Sequence, residues 1–173
     1  MKRIAVFGKP ASGKSTFSKQ LAEQCGVQLY AMDAILYQAN GEEIDSETYK
    51  QTHNEILSSE SWLIEGFAPF TALGSFYQRL DAADTLIYID LPYIICYWLV
   101  AKRLLKGLFK TPEGWPKGAS VFKGSIASYK TLKLCPKFWN QQFLQKLEAQ
   151  SANKPLYVVR SLRELDKLMD RLT

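Results

Sequence analysis

Cysteine and histidine, the residues that most often bind transition metals or crosslink chains, are scarce in this sequence. Its 173 residues include one histidine and three cysteines. Cys25, Cys96 and Cys135 lack the close spacing of zinc ligands, and their odd number does not complete a disulfide framework. We therefore expect buried or free thiols in a reducing cytoplasm.

An uninterrupted apolar segment long enough to cross a membrane is also missing. The most apolar stretch, residues 86–101, is divided by Asp90 and Pro92, which predicts a strand, a loop and a helix. The first predicted strand begins a few residues after Met1, so no N-terminal targeting segment is visible. We expect a cytoplasmic protein without a membrane partner, and the length predicts one domain over residues 1–173.

Charge is distributed unevenly, although the net charge is +5. One region has almost no acidic residues and another has almost no basic ones. Residues 101–137 contain nine Lys or Arg and a single acid, Glu113, whereas Lys50 is the only Lys or Arg between Lys19 and Arg79. Two interpretations of the basic region are open: it binds nucleic acid or nucleotide phosphates, or it is a solvated helix face. The second region contains nine acidic residues, which disfavours a phosphorylated ligand there.

A glycine-rich motif lies near the N-terminus. Gly8, four further residues and then Gly13, Lys14 and Ser15 match the pattern G-x-x-x-x-G-K-[ST]. A predicted strand (4–7) precedes the motif and a predicted helix (14–24) follows it. In that context the loop amides and the helix N-terminus bind a polyphosphate, the lysine contacts its outer phosphates, and the serine hydroxyl binds magnesium.

Predicted strands and helices alternate along the rest of the chain. The later strands cover 27–30, 62–64, 85–89 and 156–159, and the helices cover 46–58, 69–80, 92–106, 125–149 with a break near Pro136, and the segment after the capping box of Ser161 and Glu164. This alternation indicates an α/β protein with a mostly parallel sheet covered on both faces. Residues 107–124 are rich in Gly, Pro and Lys and predict a mobile loop.

Three acidic residues follow predicted strands. Asp33, Glu65 and Asp90 each lie at or just beyond the carboxyl end of a strand. Because ligands bind at that edge of a parallel sheet, we expect the three carboxylates to converge beside the phosphate-binding loop, where Asp90 would assist magnesium binding. The structural alternatives are a turn cap at Asp33, a solvated strand end at Glu65 and a helix cap at Asp90.

Two segments carry a family resemblance. Residues 8–16, and residues 62–69 with the sequence Trp-Leu-Ile-Glu-Gly-Phe-Ala-Pro, resemble the P-loop and the D-G-F-P-R segment of adenylate-kinase-like proteins. The spacing of Asp33, Glu65, and Arg79 ahead of Asp84 resembles most closely the DNA-topology-modulation (FlaR-type) or adenylate-kinase-related branch. The resemblance extends to about residue 106. It implies a three-layer P-loop fold with a five-stranded parallel sheet in the order 2-3-1-4-5 and a lid at about 107–124.

The resemblance also implies roles for individual residues. The phosphates of ATP, with Mg²⁺, would be held by Gly8, Ala11, Ser12, Gly13, Lys14, Ser15 and Thr16, and Arg103 would reach them from the start of the lid. Glu65 stands where the family has an Asp near the metal and the acceptor, and no Arg follows Pro69. The predicted lid also has lysines but lacks the arginine set that is usual for adenylate kinases, and these departures disfavour nucleoside-monophosphate kinase activity.

The shortage of cations favours a hydroxyl acceptor. Such an acceptor needs a carboxylate that orients the hydroxyl and takes its proton, a role we assign to Asp33, with Glu65 and Arg79 also in the acceptor site. Lys14 and Arg103 would complete the catalytic group. We predict ATP-dependent, magnesium-assisted phosphoryl transfer to a nucleoside- or polyol-like small molecule.

Two alternative functions remain open. One is a nucleoside-monophosphate kinase, in which Arg79 would bind the acceptor phosphate. The other is a nucleotide-binding regulator associated with nucleic acid, which the basic region suggests but no helix-turn-helix or zinc pattern supports. Outside these functions, Arg79 could pair with Asp81 or Asp84 at the surface, and His53 is predicted to be a surface residue.

Overall fold

A five-stranded parallel sheet forms the centre of the protein. The computed structural model describes residues 1–36, 42–107 and 120–172. The strands are β1 (Arg3–Gly8), β2 (Leu29–Ala31), β3 (Trp62–Glu65), β4 (Thr85–Ile89) and β5 (Leu156–Val159). Every pairing is parallel and the strand order is β2-β3-β1-β4-β5. This confirms the predicted fold class and places all carboxyl ends of the strands at one edge.

Helices connect the strands. They are α1 (Lys14–Cys25), α2 (Met32–Leu36), α3 (Ser46–Ser58), α4 (Leu73–Ala82), α5 (Tyr93–Gly107), α6 (Val121–Leu134), α7 (Gln141–Gln150) and α8 (Leu162–Leu172). Short 3-10 turns, Phe70–Ala72 and Cys135–Lys137, precede α4 and separate α6 from α7. Within the described ranges, no helix is both long enough and apolar enough to cross a bilayer.

The two faces of the sheet bury separate apolar cores. Along β1, Ile4 and Val6 face the core that contains residues of α1 and α8, while Ala5 and Phe7 face the core that contains residues of α3, α4 and α7. This alternation follows from the two-residue period of a strand. The central strands are therefore apolar on both sides, which is typical of a parallel sheet covered by helices.

Several element boundaries differ from the predicted ones. β2 begins at Leu29 rather than at 27, because residues 26 and 27 form the end of α1. Gly26 is in the left-handed conformation, and the Val27 amide donates to Ala22 O. The chain then enters a short helix that was not predicted, α2, with Asp33 in its first turn. The predicted break near Pro136 is confirmed by the 3-10 turn between α6 and α7.

The predicted lid, 107–124, overlaps described helices at both of its ends. Gly107 still belongs to α5, and α6 begins at Val121 rather than at 125, with Ser120 as its N-cap and the Ser120 hydroxyl accepting from the Lys123 amide. The two helices meet at that point, because a Cβ built on Gly107 would lie 2.3 Å from Val121 Cγ1. Residues 108–119 of the predicted lid lie outside the described residues.

Candidate functional site

The glycine-rich loop joins β1 to α1 at the carboxyl edge of the sheet. Gly8 has a φ of 145°, and a Cβ at this position would lie 2.2 Å from Ile89 O in the neighbouring strand β4. Gly13, the N-cap of α1, has a left-handed φ of 84°. Ala11 also has a positive φ, 56°, which is unusual for a residue with a side chain. The loop backbone is therefore held in a curled conformation that an ordinary sequence does not adopt.

The N-terminus of α1 is open to an anion. The first intrahelical bond runs from Phe17 N to Gly13 O, so the amides of Lys14, Ser15 and Thr16 have no acceptor within the helix. The N-cap glycine supplies no side-chain acceptor, and the first turn of the helix contains no acid. Ser12 is fully buried in the same loop, and its hydroxyl has no hydrogen-bond partner among the described residues. These groups fit the oxygens of a phosphate chain.

The two key side chains of the motif lie on either side of this loop. The Lys14 ammonium folds back over the loop and donates to Lys9 O at 2.8 Å. The Ser15 hydroxyl donates to Glu65 Oε2, 3.3 Å away at the end of β3. A hydroxyl and a carboxylate at this separation are the oxygen ligands that Mg²⁺ prefers.

Glu65 and Asp33 place two carboxylates near the glycine-rich loop. Glu65 is almost completely buried, whereas Asp33 is exposed at the start of α2. Burial raises the pKa of Glu65; Lys14 opposes that shift and Asp33 adds to it. A Cβ built on Gly66 would lie 3.5 Å from Asp33 Oδ1, so Asp33 lies beside the turn that follows Glu65. The two carboxylates therefore lie within electrostatic range of each other and of the phosphate-binding loop.

Arg79 and His53 are buried beneath this site, so the prediction that His53 is a surface residue is wrong, and so is the alternative in which Arg79 pairs at the surface. Both have no exposed area. Arg79 donates from Nη1 to Gly66 O at 2.8 Å and from Nε to His53 Nε2 at 3.5 Å, and it does not pair with Asp81 or Asp84 in the described contacts. Burial lowers the pKa of Arg79, while Tyr49, Glu65 and Asp33 oppose that shift. Arg79 thus supports the turn after Glu65 from below.

Asp90 lies at the same edge, but its carboxylate is paired with Lys9, a residue that was not predicted to take part in the site. Its carboxylate accepts from the buried Lys9 ammonium and, at 3.1 Å, from the Tyr88 hydroxyl. Lys9 also donates to Leu91 O at 3.0 Å and lies over the Tyr93 ring. The assignment of Asp90 to magnesium binding stays a prediction. The signal that could have identified the pair is the register, since Gly8 is aligned with Ile89 and the next residues are Lys9 and Asp90.

Arg103 lies on α5, and its Nη2 donates to Ser128 Oγ of α6 at 2.6 Å. Burial lowers the pKa of Arg103 and the charge of Asp33 opposes that shift, so the guanidinium lies within electrostatic range of Asp33. The structure therefore brings Lys14, Ser15, Glu65 and Asp33 together at one edge of the sheet, and the assignment of Arg103 to the phosphates stays a prediction.

Comparison with known proteins places the fold. No family model matches the chain, and no curated protein matches it. Among solved structures, it is similar to a shikimate kinase from Acinetobacter baumannii in complex with shikimate, with a TM-score of 0.58 over 99% of this chain and 90% of that chain. The sequence identity is 12%, so this likeness shows a shared P-loop fold and nothing finer. The resemblance to the DNA-topology-modulation branch stays a prediction.

Proposed function

We propose that this chain is a single P-loop domain that transfers the γ-phosphoryl group of ATP to a hydroxyl of a small molecule, assisted by Mg²⁺. The observation that carries the proposal is the hydrogen bond from Ser15 to Glu65. It joins the loop that fits a polyphosphate to a carboxylate on the neighbouring strand, at the same edge where Asp33 is exposed. A donor and an acceptor would therefore meet at this point.

On the donor side, this chain's own groups would bind and orient the phosphates. The free amides at the start of α1 and the unpartnered Ser12 hydroxyl would take the hydrogen bonds of the phosphate oxygens. Lys14 would leave Lys9 O for the outer phosphates, and Arg103 would add a second cation from α5. Positioning and charge neutralisation supply most of the catalysis in phosphoryl transfer.

The residues present fit magnesium. Ser15 and Glu65 would hold it, because a hydroxyl and a carboxylate are hard oxygen ligands of the kind that Mg²⁺ prefers. Magnesium, when bound, neutralises charge on the transferring phosphoryl group. Burial raises the pKa of Glu65 and so disfavours its ionised form. A nearby dication would oppose that shift and stabilise the carboxylate.

On the acceptor side, charge favours a hydroxyl over a phosphate. Asp33 is an exposed carboxylate next to Gly66, in position to orient a hydroxyl and take its proton. Arg79 is buried and bound to Gly66 O, and Lys50 is exposed on α3 with Glu47 3.9 Å away. A monophosphate would need accessible, bidentate arginines on this side. The similar solved structure contains shikimate, a hydroxylated acid rather than a nucleotide, which supports a non-nucleotide acceptor.

The proposal is tested by measuring ADP formation from ATP and Mg²⁺ with a panel of acceptors: nucleosides, nucleoside monophosphates, sugars, polyols and hydroxylated acids. We expect turnover with a hydroxyl acceptor. Lys14→Ala should lower that turnover by at least about a hundredfold, and Asp33→Asn by a similar factor. Lys167→Ala and Asp166→Asn, exposed positions on α8, are matched controls that should keep wild-type rates.

Two outcomes would contradict this assignment. Turnover confined to nucleoside monophosphates would support an adenylate-type kinase instead. Tight ATP binding without turnover on any acceptor, with steeply salt-dependent binding of nucleic acid, would support the regulator.

A further inference from the structure

The hairpin of α5 and α6 carries an exposed apolar face that the proposed chemistry does not use. On α5, Ile94, Trp98 and Leu105 are 73%, 54% and 65% exposed. Their spacing of four and seven residues aligns them along one side of the helix. A folded protein rarely leaves three large apolar side chains in a row in water without a partner.

A second exposed stripe runs along α6. Phe122, Ile126 and Tyr129 are 59%, 40% and 47% exposed, and their spacing of four and three residues also aligns them along one side of the helix. The Tyr129 ring lies 4.9 Å from that of Tyr97, which precedes Trp98 in α5. The two helices are therefore in contact beside the second stripe, and we call the six exposed side chains together the hairpin face.

The border of the hairpin face is cationic. Lys102 lies over the Trp98 ring at 4.8 Å, and Lys133 lies over the Tyr129 ring at 5.3 Å. Lys123 and Lys130 are also exposed on α6. Between Asp90 and Glu148 the sequence contains a single acid, at position 113, so the charge of this hairpin is almost entirely positive.

We infer that the hairpin face docks on an anionic lipid surface. Aromatic and aliphatic side chains beside flanking lysines are the composition of helices that lie in the membrane interface, where the apolar groups enter the headgroup boundary and the ammonium groups meet lipid phosphates. This proposal departs from the sequence-based expectation of no membrane partner, which rested on the lack of a spanning segment.

Other occupants fit the face less well. A second copy of the chain in a two-fold arrangement would bring Lys102 and Lys133 against the same lysines, which repel each other. A protein partner is disfavoured because lysine is depleted at protein interfaces, where arginine is the favoured cation. Nucleic acid would use the lysines, but it gives no partner to Ile94, Leu105 or Ile126, which cannot stack on bases as aromatic rings do.

The test is co-sedimentation of the full chain with lipid vesicles, one set of phosphatidylcholine alone and one containing phosphatidylglycerol as well. We expect binding to the anionic set only, with a blue shift of tryptophan fluorescence that disappears in Trp98→Phe. The variant Trp98→Ser should weaken binding by about tenfold or more, and Lys102→Gln with Lys133→Gln by about thirtyfold.

Matched controls separate the face from general surface effects. Tyr77→Ser, at an exposed aromatic on α4, and Lys50→Gln with Lys167→Gln, at exposed lysines of α3 and α8, should bind vesicles like the wild type. Equal binding to neutral vesicles, or no binding to anionic ones, would overturn the inference. So would a dimer that Trp98→Ser dissociates, or nucleic-acid binding without vesicle binding. None of these readouts depends on ATP turnover.

Discussion

Lys9 and Asp90 form an ion pair that joins the start of the phosphate-binding loop to the end of β4. The Lys9 side chain is 4% exposed and that of Asp90 is 25% exposed. The pair continues the β1–β4 register one residue beyond the strands, where Gly8 is aligned with Ile89. It therefore fixes the point at which the loop leaves the sheet, before the residues that we propose to contact phosphate.

Removing one partner of this pair should destabilise the fold. In Lys9→Met the Asp90 carboxylate loses its cation, and we expect the free energy of unfolding to fall by about 2 kcal/mol. This is less than the roughly 3–5 kcal/mol for a fully buried pair, because part of Asp90 is in contact with water. Urea denaturation measures the change, with Lys167→Met as the exposed control.

The double variant tests whether the loss comes from the unpaired charge. Lys9→Met with Asp90→Asn removes both charges and should recover part of the stability lost in Lys9→Met. The loss of unfolding free energy in the double variant is compared with the sum of the losses in Lys9→Met and Asp90→Asn. If the two are equal, Lys9 and Asp90 do not stabilise each other.

His53 predicts a specific dependence of stability on pH. Burial lowers the pKa of His53 to about 4, from an ordinary value of 6.5, and the charge of Arg79 adds to the shift. Between these pH values the unfolded chain binds a proton at His53 that the folded chain does not, so stability should fall as the pH drops through this window and be unaffected by His53 above it. The loss approaches about 3 kcal/mol at the acid end.

The single histidine makes this prediction easy to isolate. His53→Gln keeps an acceptor for Arg79 Nε but does not titrate, so its unfolding free energy should depend less on pH between about 4 and 6.5. Glu65 acts in the opposite direction, because burial raises its pKa, and its effect is common to both proteins. Parallel stability curves for the wild type and the variant would show that His53 has the same pKa in the folded and the unfolded chain, which would contradict the prediction.

The predictable parts of this protein are those that depend on local sequence. The apolar strands, the break near Pro136 and the loop motif each occupy a short stretch, so composition and spacing were sufficient to locate them. The strand order followed from the family resemblance. The burial of Arg79 and His53 could not be predicted, because it depends on α3 and α4 meeting under the turn at Gly66. Polar residues on a helix give no sign that another helix covers them.

Gly8 should tolerate no side chain. The Cβ of Gly8→Ala would lie 2.2 Å from the carbonyl oxygen of Ile89, a backbone atom that cannot turn aside. We expect a loss of about 3 kcal/mol or more in unfolding free energy. Gly26→Ala is the matched control, because Gly26 also has a positive φ, 65°, but nothing within 4 Å of the added atom. Gly26→Ala should cost about 1 kcal/mol, so that equal losses at both positions would exclude the clash as the cause.

The Ser15–Glu65 contact predicts how magnesium affects nucleotide binding. Ser15→Ala and Glu65→Gln should each weaken binding of ATP in the presence of Mg²⁺ by about ten- to a hundredfold, and should change binding of ATP with a chelator much less. Calorimetry measures both affinities without any acceptor. Ser58→Ala and Glu148→Gln, exposed positions on α3 and α7, are the matched controls.

The pH dependence of the same binding tests whether Glu65 is a ligand of the metal. Because burial raises the pKa of Glu65, its carboxylate form is lost at a higher pH than that of an exposed glutamate. The affinity for ATP with Mg²⁺ should therefore rise as the pH increases through that pKa, and this rise should be absent in Glu65→Gln. An equal rise in both proteins would assign the titration to the nucleotide itself. If Ser15→Ala and Glu65→Gln both leave the effect of Mg²⁺ on ATP affinity unchanged, other groups hold the metal. The hydrogen bond between Ser15 and Glu65 would then no longer support the proposed phosphoryl transfer.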